Sequence, residues 1–257
     1  MNLTDKQNDF LFEYLLRLGD DKLILGHRLS EWCGHAPILE EDIALANIAL
    51  DCIGQASALL TLAADTENKG RDEDDIAFHR DAIEFRNLQI VEQPNTDFAY
   101  TIARQYFFDV FGLLLYEELT KSIHPELAGI AKKALKEIKY HHRHSREWML
   151  RLGDGTEESN SRLQDAVNYL WRFTDEFFKK DEIENELKNL NIAPDVETIK
   201  PMWHDKVTEV LEKAKLTKPK YEPFLFNGGR NGYHTEHLGH LLAEMQVLPR
   251  TYPGAKW

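Results

Sequence analysis

The sequence is poor in cysteine and has no long apolar run, and both shortages restrict the class of protein. Its 257 residues include only two cysteines, Cys33 and Cys52, so a fold held by disulfides is excluded and a reduced protein is expected. No run of about 18 consecutive apolar residues is present, and residues 1–10 lack the basic-then-apolar order of a signal peptide. We therefore expect a cytoplasmic protein without a membrane partner.

Basic residues are also scarce, since 31 lysines and arginines stand against 44 acidic residues and leave a net charge of -13. This sign argues against nucleic acid or an anionic membrane as the main partner, because both require a basic face. The sequence shows neither strand-like alternation nor an internal repeat, and no linker divides it. A chain of this length can bury a large core, and we predict one all-α domain over residues 1–257.

Two long helices are predicted in the first quarter of the chain. Thr4 and Gln7 form a capping-box pattern, and the helix that follows has a mostly apolar core stripe: Leu11, Leu15, Leu18, Lys22, Leu25, Leu29 and Trp32. Lys22 is the exception, because the spacing directs its ammonium into the core. Pro37 opens a second helix, residues 37–65, with two adjacent apolar stripes. Because its apolar face is so wide, we expect this second helix to be central.

Two further long helices complete the pattern of a bundle. Thr96 is predicted to cap the third, residues 96–123, whose core stripe carries Asp109. The fourth, residues 125–153, is predicted to end at Gly153 in a left-handed conformation. Its stripe has a histidine in the middle: Leu127, Ala131, Ala134, Ile138, His141, Ser145, Trp148 and Leu152. Four-helix bundles build metal sites from inward-pointing side chains of this kind.

Shorter helices are predicted at residues 161–178, 195–215 and 235–248. Ser161 and Gln164 suggest a capping box for the first of them. Pro201 is expected to restart the second, because proline in a helix interior breaks a hydrogen bond.

The last predicted helix carries a histidine cluster. His237, His240 and Glu244 are spaced three and four apart, with His234 and Glu236 nearby, so three of them can meet on one side of the helix. This pattern leaves two interpretations open, a metal site or a helix that packs on the bundle or at a subunit interface.

The core positions of the four long helices decide which chemistry the bundle can support. A dinuclear iron or manganese site needs four carboxylates and two imidazoles, with a Glu-x-x-His pair on each of two helices. At matched depth this sequence offers Lys22, Cys52 with Gln55, Asp109, and Ile138 with His141. Only Asp109 and His141 are good ligands. We therefore predict no metal, and we interpret Lys22 as occupying the metals' space, paired with Asp109 and flanked by Gln55 and His141.

Several separated segments carry a resemblance to a known family over residues 11–257. They are residues 31–37, 44–55, 91–95, 101–109, 136–143, 170–173 and 234–239. In these segments the chain resembles the PaaC family, subunits of the bacterial phenylacetyl-CoA 1,2-epoxidase that are ferritin-like relatives of the multicomponent monooxygenases. The resemblance implies a ferritin-like four-helix bundle core with additional C-terminal helices.

The resemblance also implies a role. In that family the catalytic subunit, PaaA, carries the di-iron site, and PaaC resembles a copy that has lost most ligands; Lys22, Cys52, Gln55 and Ile138 depart from the catalytic pattern, while Asp109 and His141 keep it. The implied role is a non-catalytic subunit that binds a PaaA-like chain, with a small PaaB-like subunit bridging assemblies. It leaves open whether the isolated chain forms homodimers. The alternative is a stand-alone metal-dependent enzyme using Asp109 and His141, or the histidines of the last helix.

Overall fold

The computed structural model describes residues 3–220 and 228–255, and this part of the chain is helical without a β-strand. The all-α, ferritin-like prediction is therefore confirmed. The described residues form nine α-helices: α1 (Asp5–Ser30), α2 (Leu39–Glu67), α3 (Glu73–Phe78), α4 (Phe98–Leu119), α5 (Pro125–Gly153), α6 (Glu157–Leu170), α7 (Glu182–Asn189), α8 (Val196–Lys213) and α9 (Glu236–Thr251).

The core of the fold is a bundle of two helical hairpins, α1 with α2 and α4 with α5. The first hairpin is antiparallel and very close, because a Cβ on Gly19 would lie 2.6 Å from Leu60 Cδ2 and one on Gly26 would lie 2.8 Å from Ile53 Cδ1. Helix α1 is continuous through Gly19, and the missing side chain at this position allows α2 to approach. The second hairpin is joined across the core by a hydrogen bond from Ser145 to Asp109.

The central helix is α4 and not α2, so that prediction from the sequence was wrong. Every residue of α4 from Ala99 to Tyr116 is buried, because α5, α6 and α8 all pack against this helix. One of the two apolar stripes of α2 is covered, whereas the other is covered only in its second half, where Ile53 and Leu60 pack against α1. On the other stripe, Leu39, Ile43 and Leu50 are 72%, 54% and 68% exposed.

By length and composition, α2 is also the one helix of the described chain apolar enough to span a membrane, with 44% of its most apolar window buried. The stripe with Leu45 and Ile48, however, is buried in the bundle core, where α2 packs along α1. A core helix of a water-soluble bundle satisfies the same criterion of length and composition.

Several helix ends confirm the sequence patterns and others correct them. The capping box of Thr4 and Gln7 is present at the start of α1. Asp97, and not Thr96, caps α4 by accepting a hydrogen bond from the backbone N–H of Tyr100. Gly153 is the last residue of α5 and is not left-handed. Its lack of a side chain serves close packing, because a Cβ there would lie 2.2 Å from the carbonyl oxygen of Ala214.

Two predictions for the later helices were also wrong. Helix α6 begins at Glu157, since Thr156 forms a capping box with Ser159 one turn before the predicted one. Helix α8 continues through Pro201 without a restart. Packing explains this continuity, because Trp203 just beyond is fully buried and donates a hydrogen bond to the carbonyl oxygen of Phe107.

Buried charged groups attach the connecting segments to α1. Arg80 forms an ion pair with Asp20, and both side chains are buried. Arg230 pairs in the same way with Asp21 at 2.8 Å. These pairs hold the segment after α3 and the segment before α9 against one side of the bundle.

A buried glutamate connects the same two segments. The two carboxylate oxygens of Glu176 accept hydrogen bonds from the backbone N–H groups of Gln89 and Gly229, at 2.7 and 2.8 Å. Burial raises the pKa of Glu176 to about 8, although the N–H of Gln89 and the charge of Arg230 oppose that rise. The protein therefore holds an ionisable group in its interior at the junction of three segments.

Candidate functional site

The six core positions predicted from the sequence are all buried in the bundle. Their side chains come from the four long helices and are 0–4% exposed: Lys22, Cys52, Gln55, Asp109, Ile138 and His141. They lie within electrostatic reach of one another, since Lys22 and Asp109 both influence the pKa of the Cys52 thiol. The structure therefore brings together the residues that helical periodicity placed at one depth.

The predicted pairing of Lys22 with Asp109 was wrong in its geometry. No hydrogen bond or ion pair from the Lys22 ammonium to another described residue occurs. The Nζ atom instead lies over two aromatic rings of α4, 5.0 Å from the centroid of Phe108 and 5.2 Å from that of Tyr116. Aromatic faces attract cations through their quadrupole, and this attraction strengthens away from water.

The Asp109 carboxylate is satisfied by neutral donors. It accepts hydrogen bonds from Gln105 Nε2 and Ser145 Oγ, each at 2.7 Å. Burial raises the pKa of Asp109, and the charges of His141 and Lys22 counteract this effect together with the two hydrogen bonds. Lys22 thus acts on Asp109 through its electric field and not through direct contact.

His141 and Gln55 are engaged by two carboxylates that the sequence analysis missed. His141 Nε2 lies 2.9 Å from Asp51 Oδ2, and Gln55 Nε2 donates to Glu137 Oε2 at 2.8 Å. Asp51 and Gln55 are four residues apart on α2, as are Glu137 and His141 on α5, so each pair shares one helix face. This four-residue spacing is the feature of the sequence from which Asp51 and Glu137 could have been identified. The two antiparallel pairs form a reciprocal polar link between α2 and α5.

The residues present do not fit a dinuclear metal centre. Of the six ligand positions that such a centre requires, only two hold good ligands, the Asp109 carboxylate and the His141 imidazole. Both are already hydrogen-bonded, and the Lys22 ammonium adds a charge that repels metal ions. Burial also raises the pKa of the Cys52 thiol to about 12, whereas cysteine binds metals as a thiolate. Within residues 3–220 and 228–255, no group of three or more His, Cys, Asp or Glu side chains is placed to hold a metal ion.

The histidines near α9 have other roles or lie at the surface. His234 contacts the buried Glu92 carboxylate at 2.9 Å and the carbonyl oxygen of Phe85 at 3.1 Å. The backbone oxygen of His237 accepts a hydrogen bond from Arg28, whereas His240 and Glu244 are exposed. Of the two interpretations of this cluster, these contacts favour a helix that packs on the bundle.

Four long helices around one buried polar cluster define a ferritin-like bundle protein. The sequence model PaaA_PaaC, described as phenylacetic acid catabolic protein, matches residues 1–257, and the chain belongs to this family. It is similar to a protein of Escherichia coli (strain K12) that is named as a subunit of 1,2-phenylacetyl-CoA epoxidase. The two are 51% identical over 247 residues, which cover 96% of this chain and 99% of the relative.

Proposed function

We propose that this chain is a structural, non-catalytic subunit of a phenylacetyl-CoA epoxidase in aerobic phenylacetate catabolism. Its near full-length similarity to a protein named as a subunit of that enzyme supports the assignment to the complex. The observation that supports the non-catalytic role is the buried core, where Lys22, Cys52, Gln55 and Ile138 occupy positions at which the resemblance implies metal ligands in the catalytic subunit. An oxygen-activating di-iron centre cannot form on the two donors that remain.

The partner in this proposal is a PaaA-like catalytic subunit that holds the di-iron cofactor and binds the CoA thioester. This chain forms a cytoplasmic heteromer with it, and a small PaaB-like subunit bridges assemblies. The role of the present chain is to supply a rigid helical surface, which suits a bundle whose core is filled by side chains.

Separate metal analysis and reconstitution test the proposal. The chain and a PaaA-like subunit are purified individually, their iron, manganese and zinc contents are measured, and oxygen-dependent consumption of phenylacetyl-CoA is followed with a reductase present. We expect iron only on the PaaA-like chain, and activity that rises when both chains are combined. Roughly two metal equivalents per chain on this subunit, lost in Asp109→Ala and His141→Ala, would show that it is a metalloenzyme instead.

A further inference from the structure

The Lys22 ammonium lies beside a small space inside the bundle. Its Nζ atom is 5.0 and 5.2 Å from the ring centroids of Phe108 and Tyr116. Gly112 is four residues from each of these rings along α4, so it lies between them on the same helix face. Gly112 is buried, yet a Cβ built on it would have, apart from its own stretch of helix, only Ile138 Cγ2 of the described residues within 4 Å, at 3.9 Å. The core therefore has room beside the ammonium for a group of about the size of a methyl.

Polar atoms with unused hydrogen-bonding capacity belong to the same part of the core. The Lys22 ammonium has three N–H donors, and no described residue accepts from them. Four buried atoms of the cluster also make no hydrogen bond to a described residue: Gln55 Oε1, Gln105 Oε1, Tyr116 Oη and His141 Nδ1. Their residues are at most 4% exposed. Buried polar groups normally have a partner in the protein or in ordered water, so these atoms indicate a further ligand.

The unused atoms lie at the same depth as the space. Gln105 Nε2 donates to Asp109 Oδ1 at 2.7 Å, so the amide oxygen of Gln105 lies beside that carboxylate. His141 Nε2 meets Asp51 at the edge of the core, which leaves Nδ1 for the interior. Burial raises the pKa of Asp109, and the charge of His141 is the largest effect that opposes this rise. Asp109 is three residues before Gly112 on α4 and shares its helix face, so these groups border the space.

The chemistry of these groups selects the occupant. It must accept hydrogen bonds from the Lys22 ammonium and donate them to amide oxygens and to the Asp109 carboxylate. A halide or another simple anion accepts but does not donate, and the ammonium repels a metal ion. Water both accepts and donates, and a buried water typically makes about three hydrogen bonds to polar groups that otherwise lack partners.

We propose that the bundle core contains an ordered-water site between Lys22 and Gly112. Water in this site accepts hydrogen bonds from the ammonium and donates them to the unused acceptors of the cluster. Gly112 has a defined role in it, because the missing side chain keeps the space open. The site belongs to the isolated chain and does not depend on the proposed partner.

The first test is a double-substitution cycle in the full-length chain, followed by thermal unfolding. Gly112→Ala places a methyl in the space. If the space is dry, the methyl meets no clash and alanine favours the helix, so the melting temperature should rise by about 2–4 °C in any background. If water bound to Lys22 fills the space, the methyl displaces it and leaves the ammonium without a partner.

We therefore expect Gly112→Ala to be less favourable in the wild type than in Lys22→Met, by at least about 3 °C in melting temperature. The control is Gly54→Ala, an exposed helical position where a Cβ meets nothing within 4 Å, and it should have the same effect in both backgrounds. An equal rise for Gly112→Ala in the two backgrounds would overturn the proposal.

A second test detects the water directly. The γ2 methyl of the buried Ile138 borders the space, and a methyl has no exchangeable proton. In methyl-labelled protein, we expect a rotating-frame Overhauser peak between this methyl and water in the wild type. The peak should disappear in Gly112→Ala, which retains every exchangeable side-chain proton of the cluster. A wild type without the peak, or a peak that Gly112→Ala leaves unchanged, would contradict the site.

A third test identifies the occupant in crystals soaked in sodium bromide. We expect a water peak within hydrogen-bond distance of Lys22 Nζ and of one unused acceptor, without anomalous bromine signal. Bromine density beside Nζ would show that the site takes an anion, and no density at all would show that it is empty. Either result would overturn the proposal.

Discussion

Replacement of the buried Glu176 by glutamine should change how the stability of this protein depends on pH. An exposed glutamate has a pKa of about 4.3, whereas burial raises the pKa of Glu176 to about 8. The folded protein therefore retains a proton that the unfolded chain releases, so this group favours folding below about pH 4 and loses that contribution as the pH rises to 8. One pKa unit corresponds to about 1.4 kcal/mol, so the loss between pH 5 and pH 8 is about 4 kcal/mol.

Glutamine is neutral at every pH and removes this contribution. Because a glutamine offers one acceptor for the two N–H groups of Gln89 and Gly229, we expect Glu176→Gln to cost about 1–3 kcal/mol at pH 5. Relative to the wild type, the variant should then gain about 4 kcal/mol between pH 5 and pH 8. Guanidinium unfolding at both pH values measures the difference, with the exposed Glu236→Gln as control. Parallel pH curves for wild type and Glu176→Gln would refute the reasoning.

Three further substitutions, one of them with a matched control, have defined expectations in the isolated chain, each measured as a free energy of unfolding. Lys22→Met exchanges a buried charge for an apolar side chain and should stabilise the folded chain by about 1–2 kcal/mol, a net figure that includes the lost contacts with the aromatic rings. A destabilisation of more than about 2 kcal/mol would indicate a strong partner for the ammonium. Gly153→Ala should destabilise by about 2–3 kcal/mol through overpacking, whereas Gly239→Ala at an exposed position of α9 should stabilise by about 0.5–1 kcal/mol. Equal effects of the two substitutions would contradict the close contact between Gly153 and Ala214. Asp20→Asn breaks the buried pair with Arg80 and should cost about 3–5 kcal/mol; a loss below about 1 kcal/mol would show that the pair is weak.

Helical periodicity was sufficient to locate the buried polar cluster but not its internal contacts. The spacing of Lys22, Asp109 and His141 predicted that all three lie in the core, and they do. Which atoms meet depends on rotamers and on helix rotations of a few degrees, so Lys22 contacts rings rather than Asp109. Asp51 was overlooked because it lies at the edge of the core stripe, where the sequence gives no measure of burial.

The position of α2 shows a second limit of sequence patterns. Two apolar stripes indicate that both sides of a helix avoid water, but not that the covering groups belong to the same chain. In this protein the stripe with Leu45 and Ile48 is buried, whereas Ile43 and Leu50 in the first half of the other stripe are exposed. The expectation of a central α2 therefore failed, because this chain covers only part of the wide apolar surface of that helix.

The ammonium of Lys22 gives the bundle a positive charge that is covalently part of the polypeptide. A metal ion in the same place would have to be captured from solution, and its binding energy would become part of the folding energy. Such an ion can also be removed by a chelator or exchanged for a competitor. With its cation built into α1, we expect this core to fold without a metal supply and to have the same stability in iron-starved and iron-replete cells.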